Sequence, residues 1–294
     1  MSKDRNVAAG IGLLVAAAVV AVADLMWVLP LLEAQLPALL GERAGDAALV
    51  EFLFNAVIFG VLIIAALIGG AVERRRVIAA GEQPVPMAAI GLAVGGFGVT
   101  AAVGYAALSG TLVAGQAPSA AVTMLAWGAG TIAIQACGEE IFFRGWLQPG
   151  LARRWSLVPA LIVTAIAFAA LHVIGGARAP VSLLNLLLGG LVFGLFAAQG
   201  RGLAAAAAMH WAWNATEQLV WGLDPNPGVG GFGAIADRDL VRQGWWGGSD
   251  EGLNASIGMT FVLVAILIPL LLKARAEAGA ALASEQRLKT LRAG

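Results

Sequence analysis

Charge is scarce in this chain. Its 18 basic and 18 acidic residues fill 12% of 294 positions and cancel to a formal charge of zero, too little polarity to cover a water-soluble globule of this length. The balance also leaves no basic patch, so a nucleic-acid partner is not expected. Cysteine occurs once, at Cys137; an intrachain disulfide framework is excluded, and a lone thiol in an apolar stretch reads as a small core residue rather than a nucleophile. Histidine occurs only at His172 and His210. No internal repeat is convincing, and nothing marks a second, soluble domain or an oligomeric state. In place of these the chain is 60% apolar, with a mean hydropathy of +0.84, the composition of a multi-pass protein whose first partner is the lipid bilayer.

Eight apolar runs approach the length that a helix needs to cross a bilayer: 7–31, 47–72, 86–109, 119–148, 157–174, 180–200, 203–222 and 255–273. They predict an all-α, polytopic helix bundle over residues 1–273, followed by a tail at 274–294 that forms a short cytoplasmic helix near the membrane surface. With the N-terminus inside, fourteen of the eighteen basic residues fall on one side, among them Lys3, Arg5, Arg74 to Arg76, Arg144, Arg153, Arg154, Arg201 and Lys273. Short cytoplasmic loops carry this excess, so both termini are expected in the cytoplasm. The first run also has signal-peptide features, with Lys3 and Arg5 ahead of Ala21-Val22-Ala23, but it continues to Leu32 and is long enough to span and stay. The loop 223–254 then lies outside, and its Trp245 and Trp246 are expected to anchor at the headgroup layer. The Ala- and Gly-rich composition points to a bacterial cytoplasmic membrane.

Polar residues inside hydrocarbon are expensive, and three patterns carry them. In the fourth run, Glu139 and Glu140 are adjacent on a helix and point about 100° apart, so they cannot both face one cavity. Arg144 stands four residues after Glu140, the spacing of a helical ion pair, which leaves Glu139 the freer carboxylate. Alone, these three residues could simply mark a helix end. In the fifth run Phe168 and His172 share a helix face, and in the seventh so do His210 and Asn214. A single intramembrane histidine usually bridges helices; two, with an amide one turn away and a carboxylate pair upstream, predict a convergent polar site.

The ordered series Glu-Glu-x-x-x-Arg, Phe-x-x-x-His and His-x-x-x-Asn resembles the three motifs of the CPBP intramembrane protease family, also called the CAAX protease and bacteriocin-processing or Abi family. The resemblance runs from Glu139 to Asn214 within a CPBP-like core at about 119–222 and places the catalytic site between the fourth, fifth and seventh spans. It implies that Glu139 and His172 activate the attacking water and that His210 and Asn214 stabilise the oxyanion, with Glu140, Arg144 and Phe168 in support. The implied activity is hydrolysis of a peptide bond in a membrane-associated protein or peptide. No cofactor is favoured, although zinc on Glu139, His172 and His210 stays open, because spacing alone cannot decide it.

Straight helices do not bring this site together. Counted at about 1.5 Å per residue, His172 lies about 25 Å from the cytoplasmic side and His210 only about 14 Å; an irregular connection at 145–158 and a tilted or deeper-starting fifth helix would repair this. Two other readings stand beside the protease: a transporter or channel relaying protons or cations through Glu139, His172 and His210, with Asp24, Glu51, Asn55, Asn185 and Glu217 in support, and a non-catalytic scaffold. Turnover of a cleavable membrane substrate separates the protease from both.

Overall fold

In lipid the backbone finds no water to bond, so long apolar runs close their hydrogen bonds internally as helices. The computed structural model of the chain describes residues 3–241, 246–248 and 250–293; Arg242 and Trp245 lie outside the described residues. Its architecture is the expected all-α bundle: α1 (Lys3–Ala23), α2 (Leu29–Leu40), α3 (Ala47–Val72), α4 (Pro84–Leu108), α5 (Val122–Glu140), α6 (Gln148–Trp155), α7 (Leu157–Ile174), α8 (Pro180–Gln199), α9 (Ala204–Ala215) and α10 (Ile257–Ala293). Among the described residues, six helical stretches are long and apolar enough to cross a membrane: Asp4–Gly45, Ala47–Val72, Pro84–Leu108, Leu157–Ile174, Pro180–Gln199 and Ile257–Ala280. The other two expected runs fall on α5 and α9, the helices that carry the glutamates, His210 and Asn214. Large apolar side chains such as Val19, Ile64, Phe97, Ile162 and Phe261 are exposed around the bundle, a surface suited to lipid rather than water.

Three π-helical turns, Asp24–Val28, Ile141–Leu147 and Thr216–Trp221, extend α1, α5 and α9. Two of them have a visible local cause. The Leu29 N–H reaches back five residues to the Asp24 carbonyl just ahead of Pro30, and the Gln148 N–H reaches the Phe143 carbonyl just ahead of Pro149. Proline has no N–H to give, and the helix takes up the mismatch as a wide turn instead of breaking. The first helical stretch therefore runs on from Lys3 to Leu40, beyond the expected 7–31. Residues 145–158 are likewise not an irregular connection: the π turn passes directly into α6, and the one break is Ser156, at φ 90°. Residues 274–293, rich in helix formers, continue α10 without interruption.

The loops at one end are held by named contacts. Strands β1 (Leu112–Ala114), β2 (Leu223–Asp224) and β3 (Arg238–Leu240) form a small sheet in the order β1-β3-β2, antiparallel then parallel. Glu51 of α3 accepts from the Gly231 N–H at 2.7 Å and the Gln218 amide at 2.6 Å, while the Asn185 amide donates to the carbonyls of Asn254 and Ser256 at 2.8 and 2.9 Å. Trp246 is exposed and stacks on Tyr105, with centroids 6.4 Å apart. At the opposite end Glu73 binds Arg75, Arg153 and Arg154 at 3.0, 3.2 and 2.8 Å, fastening the end of α3 to α6. Burial pushes the Glu73 carboxyl up, but Arg75 and Arg154 outweigh it and hold it below the usual carboxylate range.

Candidate active site

The site is built outward from one buried ion pair. Arg144 Nη1 lies 3.1 Å from Glu140 Oε1, both side chains wholly buried, as the four-residue spacing predicted. Arg144 Nη2 donates to the Gly190 carbonyl at 3.0 Å. That carbonyl comes within reach because α8 closes on α7 at Gly190, where a Cβ would stand 2.9 Å from the Ala165 Cα. The guanidinium also lies over the rings of Phe143, Phe168 and Phe193, at 5.4, 4.8 and 5.4 Å from their centroids. Arg144 is thus an interior residue, and counting it among the cytoplasmic charges is corrected: Glu140, a carbonyl and three ring faces replace water around it.

Glu140 has a second partner that sequence spacing did not reveal. His210 Nδ1 is 2.9 Å from the same Oε1. A carboxylate engaged with an arginine only accepts hydrogen bonds, so Nδ1 must donate, and Nε2 is left for the cavity. His172 is set differently. Its Nδ1 is 2.9 Å from the Phe168 carbonyl, which also only accepts, so a neutral His172 carries its lone pair on Nε2. Phe168 spaces the two imidazoles, with ring centroids 4.6 Å from His172 and 6.2 Å from His210, while Phe193 stacks on His210 at 4.6 Å and 16°.

The straight-helix count notwithstanding, His172 and His210 line one cavity. A helical side chain leans toward the N-terminus of its own helix, and the His172 imidazole bends back to the Phe168 carbonyl. At the other helix, the Leu203 and Ala204 N–H groups donate to the carbonyls of Ala79 and Ala80 at 2.8 and 3.2 Å, tying the first turn of α9 to residues 79–80.

A cavity of about 260 Å³ collects Glu139, Phe168, His172, His210 and Asn214, with Gln135, Glu217 and Trp213 beside them and Asn226, Pro227, Leu253 and Asn254 of the long loop at one end. Another, of about 320 Å³, shares His172, Leu186, Asn226 and Asn254 and continues to Asp250 and Glu251. A third, of about 210 Å³, shares Gln135, Glu139, Phe168 and His172. Glu139 is 8% exposed, and among the described residues no hydrogen bond or ion pair holds its carboxylate, whereas Glu140 lines none of these cavities. The two glutamates divide as their angular separation on the helix predicted. Gln135 was missed, although its place one turn before Glu139 was legible.

The metal-binding geometry can be read directly. Among the described residues the one group of three acids or histidines whose ligand atoms lie within 4.8 Å of one another is Asp224, Asp237 and Asp239. Glu139, His172 and His210 do not gather that closely, and both Nδ1 atoms are already engaged. Glu51 and Asn185, two residues of the proton- or cation-relay reading, hold loop backbone, and Asn185 also lines the cavity.

Residues 121–216 match the family model described as type II CAAX prenyl endopeptidase Rce1-like. The match covers about a third of the chain and takes in all three motifs, from Glu139 to Asn214, which bears out their resemblance to the CAAX proteases. Comparison with curated proteins and with solved structures found no match.

Proposed function

We propose that this chain, a multi-pass membrane protein whose 121–216 segment is Rce1-like, is an intramembrane endopeptidase that cleaves a membrane-associated protein or peptide with water activated by Glu139 and His172. The observation that carries this reading is that both histidines have Nδ1 engaged and line one cavity with Glu139, one held by a neutral carbonyl and the other by a carboxylate. The Phe168 carbonyl leaves His172 Nε2 as an acceptor facing a cavity that Glu139 shares, while Glu140 fixes the Nδ1 proton of His210. His172 can accept a hydrogen bond from a water, and His210, when paired as the imidazolium with Glu140, can donate one.

In this mechanism a water held between Glu139 and His172 Nε2 attacks the substrate carbonyl carbon, and its proton passes to Glu139. The oxyanion receives hydrogen bonds from the Asn214 amide and from His210 Nε2, which donates when His210 is the imidazolium paired with Glu140. The C–N bond then breaks, and Glu139 returns the proton to the leaving amine. No step requires a metal; if zinc were bound, Glu139, His172 and His210 would have to move together to hold it, and it would polarise the same water.

Purified protein in liposomes should generate new termini in a bacterial membrane-protein fraction that a Glu139→Gln control does not. That activity should survive prolonged chelation, with far less than one zinc per chain. Identical termini from parent and control would refute the peptidase, and activity switched off by chelation and restored by zinc would refute the metal-free step alone.

We also propose a bacterial cytoplasmic membrane with both termini inside. The Arg-rich Glu73 cluster then faces the cytoplasm, and the site's loop end, with Asp250 and Glu251, faces outward. In a Cys137→Ala background, a cysteine at Asp250 should label only from outside and one at Ser284 only from inside. Labelling of the Asp250 position solely from the cytoplasmic side would invert the assignment.

A further inference from the structure

Every fully interior carboxylate near the site has a partner or faces the polar cavity, with one exception. Glu140 is held by Arg144 and His210, and Glu217 lines the polar cavity. Asp24 has neither. It is 2% exposed, and its Oδ1 has no hydrogen-bond partner among the described residues. It lines the cavity of about 210 Å³ between α1, α3, α5 and α7, whose wall is otherwise mostly hydrocarbon from Leu25, Ile58, Phe59, Leu62 and Leu171. No lysine or arginine lines that cavity, and its one imidazole, His172, has Nδ1 engaged by the Phe168 carbonyl.

An acid group buried among hydrocarbon without a partner is costly, and the fold places this one where a ligand could compensate it. Asp24 is also the first residue of a π-helical turn, a feature that concentrates at functional sites; the other two π turns directly follow Glu140 and contain Glu217. The cavity ends on Glu139 and His172, so whatever fills it lies beside the bond being cleaved.

We propose that this cavity is a substrate subsite and that Asp24 is its anionic end, receiving the ammonium or guanidinium of a Lys or Arg side chain close to the scissile bond. Those side chains have the matching division: an aliphatic stem for the hydrocarbon wall and a cationic head for the carboxylate. The word substrate rests on the peptidase reading; the cation site does not.

The test therefore has two arms on the full-length protein. In the binding arm, n-pentylammonium and n-pentanol, equal in stem and different in head, are titrated while Tm is followed. The ammonium should bind about tenfold more tightly than the alcohol to the parent and to Glu139→Gln, and that preference should vanish in both Asp24→Asn and Asp24→Leu. Because either change removes an unpartnered buried acid, the variants should melt no lower than the parent, which separates loss of the site from loss of the fold. Equal binding of the two probes by the parent, or a preference that persists in Asp24→Asn, overturns the proposal. In the cleavage arm, Lys or Arg should be enriched about fivefold next to the new termini made by the parent and return to background in Asp24→Asn. An ammonium preference without any cleavage would sink the peptidase and leave the cation site; cleavage without enrichment or ammonium preference would sink the cation site and leave the peptidase.

Discussion

Glu139→Gln is expected to accumulate and fold but to lose nearly all of its cleavage. The carboxylate has no hydrogen bond or ion pair among the described residues to lose, and it faces two cavities, so the amide fits in its place and stability should change by less than about 1 kcal/mol. Turnover should fall by about 10²- to 10⁴-fold, the usual contribution of a positioned general base. His172→Ala should fall comparably, since it removes the Nε2 acceptor while leaving the Phe168 carbonyl, at the C-terminal half of α7, free to take another partner. Both variants are compared with the parent at matched protein amounts by counting new termini per chain and by Tm. Cleavage at the parent rate by Glu139→Gln would show that this carboxylate is not the base, whatever else the cavity does.

What the chain's residues disclosed depended on range. The pairing of Glu140 with Arg144 was legible because four residues on a helix is a fixed distance, and the outward turn of Glu139 followed from the same periodicity. The bond from His210 to Glu140 was not, since it crosses between helices 70 residues apart and no local spacing encodes it. The approach of His172 to His210 was obscured for a related reason: counting residues from the basic face assumes straight helices that start level, and the contacts that set each helix, such as those of the first α9 N–H groups with Ala79 and Ala80, are not local in the chain. The π turns were half legible. Pro30 and Pro149 announced a disturbed ladder, but whether a helix breaks or widens depends on the packing around it. Glu51 and Asn185 misled for the opposite reason. They read as polar groups inside hydrocarbon, yet each has backbone of the long loop among its partners, Gly231 for Glu51 and Asn254 for Asn185, a loop that hydropathy treats as mere connection.

Arg144→Ala and Glu140→Gln are each expected to cost about 3–5 kcal/mol, because either leaves a formal charge buried without its counterpart. Arg144 alone would keep three ring faces and the Gly190 carbonyl, which soften the loss but do not neutralise it; Glu140 alone would keep only His210. Both single variants should therefore accumulate poorly. The double variant Glu140→Gln with Arg144→Met removes both charges and keeps most of the volume, so its Tm should recover well above either single variant, a coupling that a double-mutant cycle reads directly. Its turnover should not recover. A glutamine at position 140 carries no charge to pair with an imidazolium at His210, so Nε2 is a donor to the oxyanion in fewer molecules, a deficit of about 10²-fold. Expression level, Tm and cleavage per chain of the four proteins decide between outcomes. A double variant no more stable than its parents would show that the ion pair is not an energetic unit, and one that regains full turnover would show that Glu140 serves the fold alone and does not position His210.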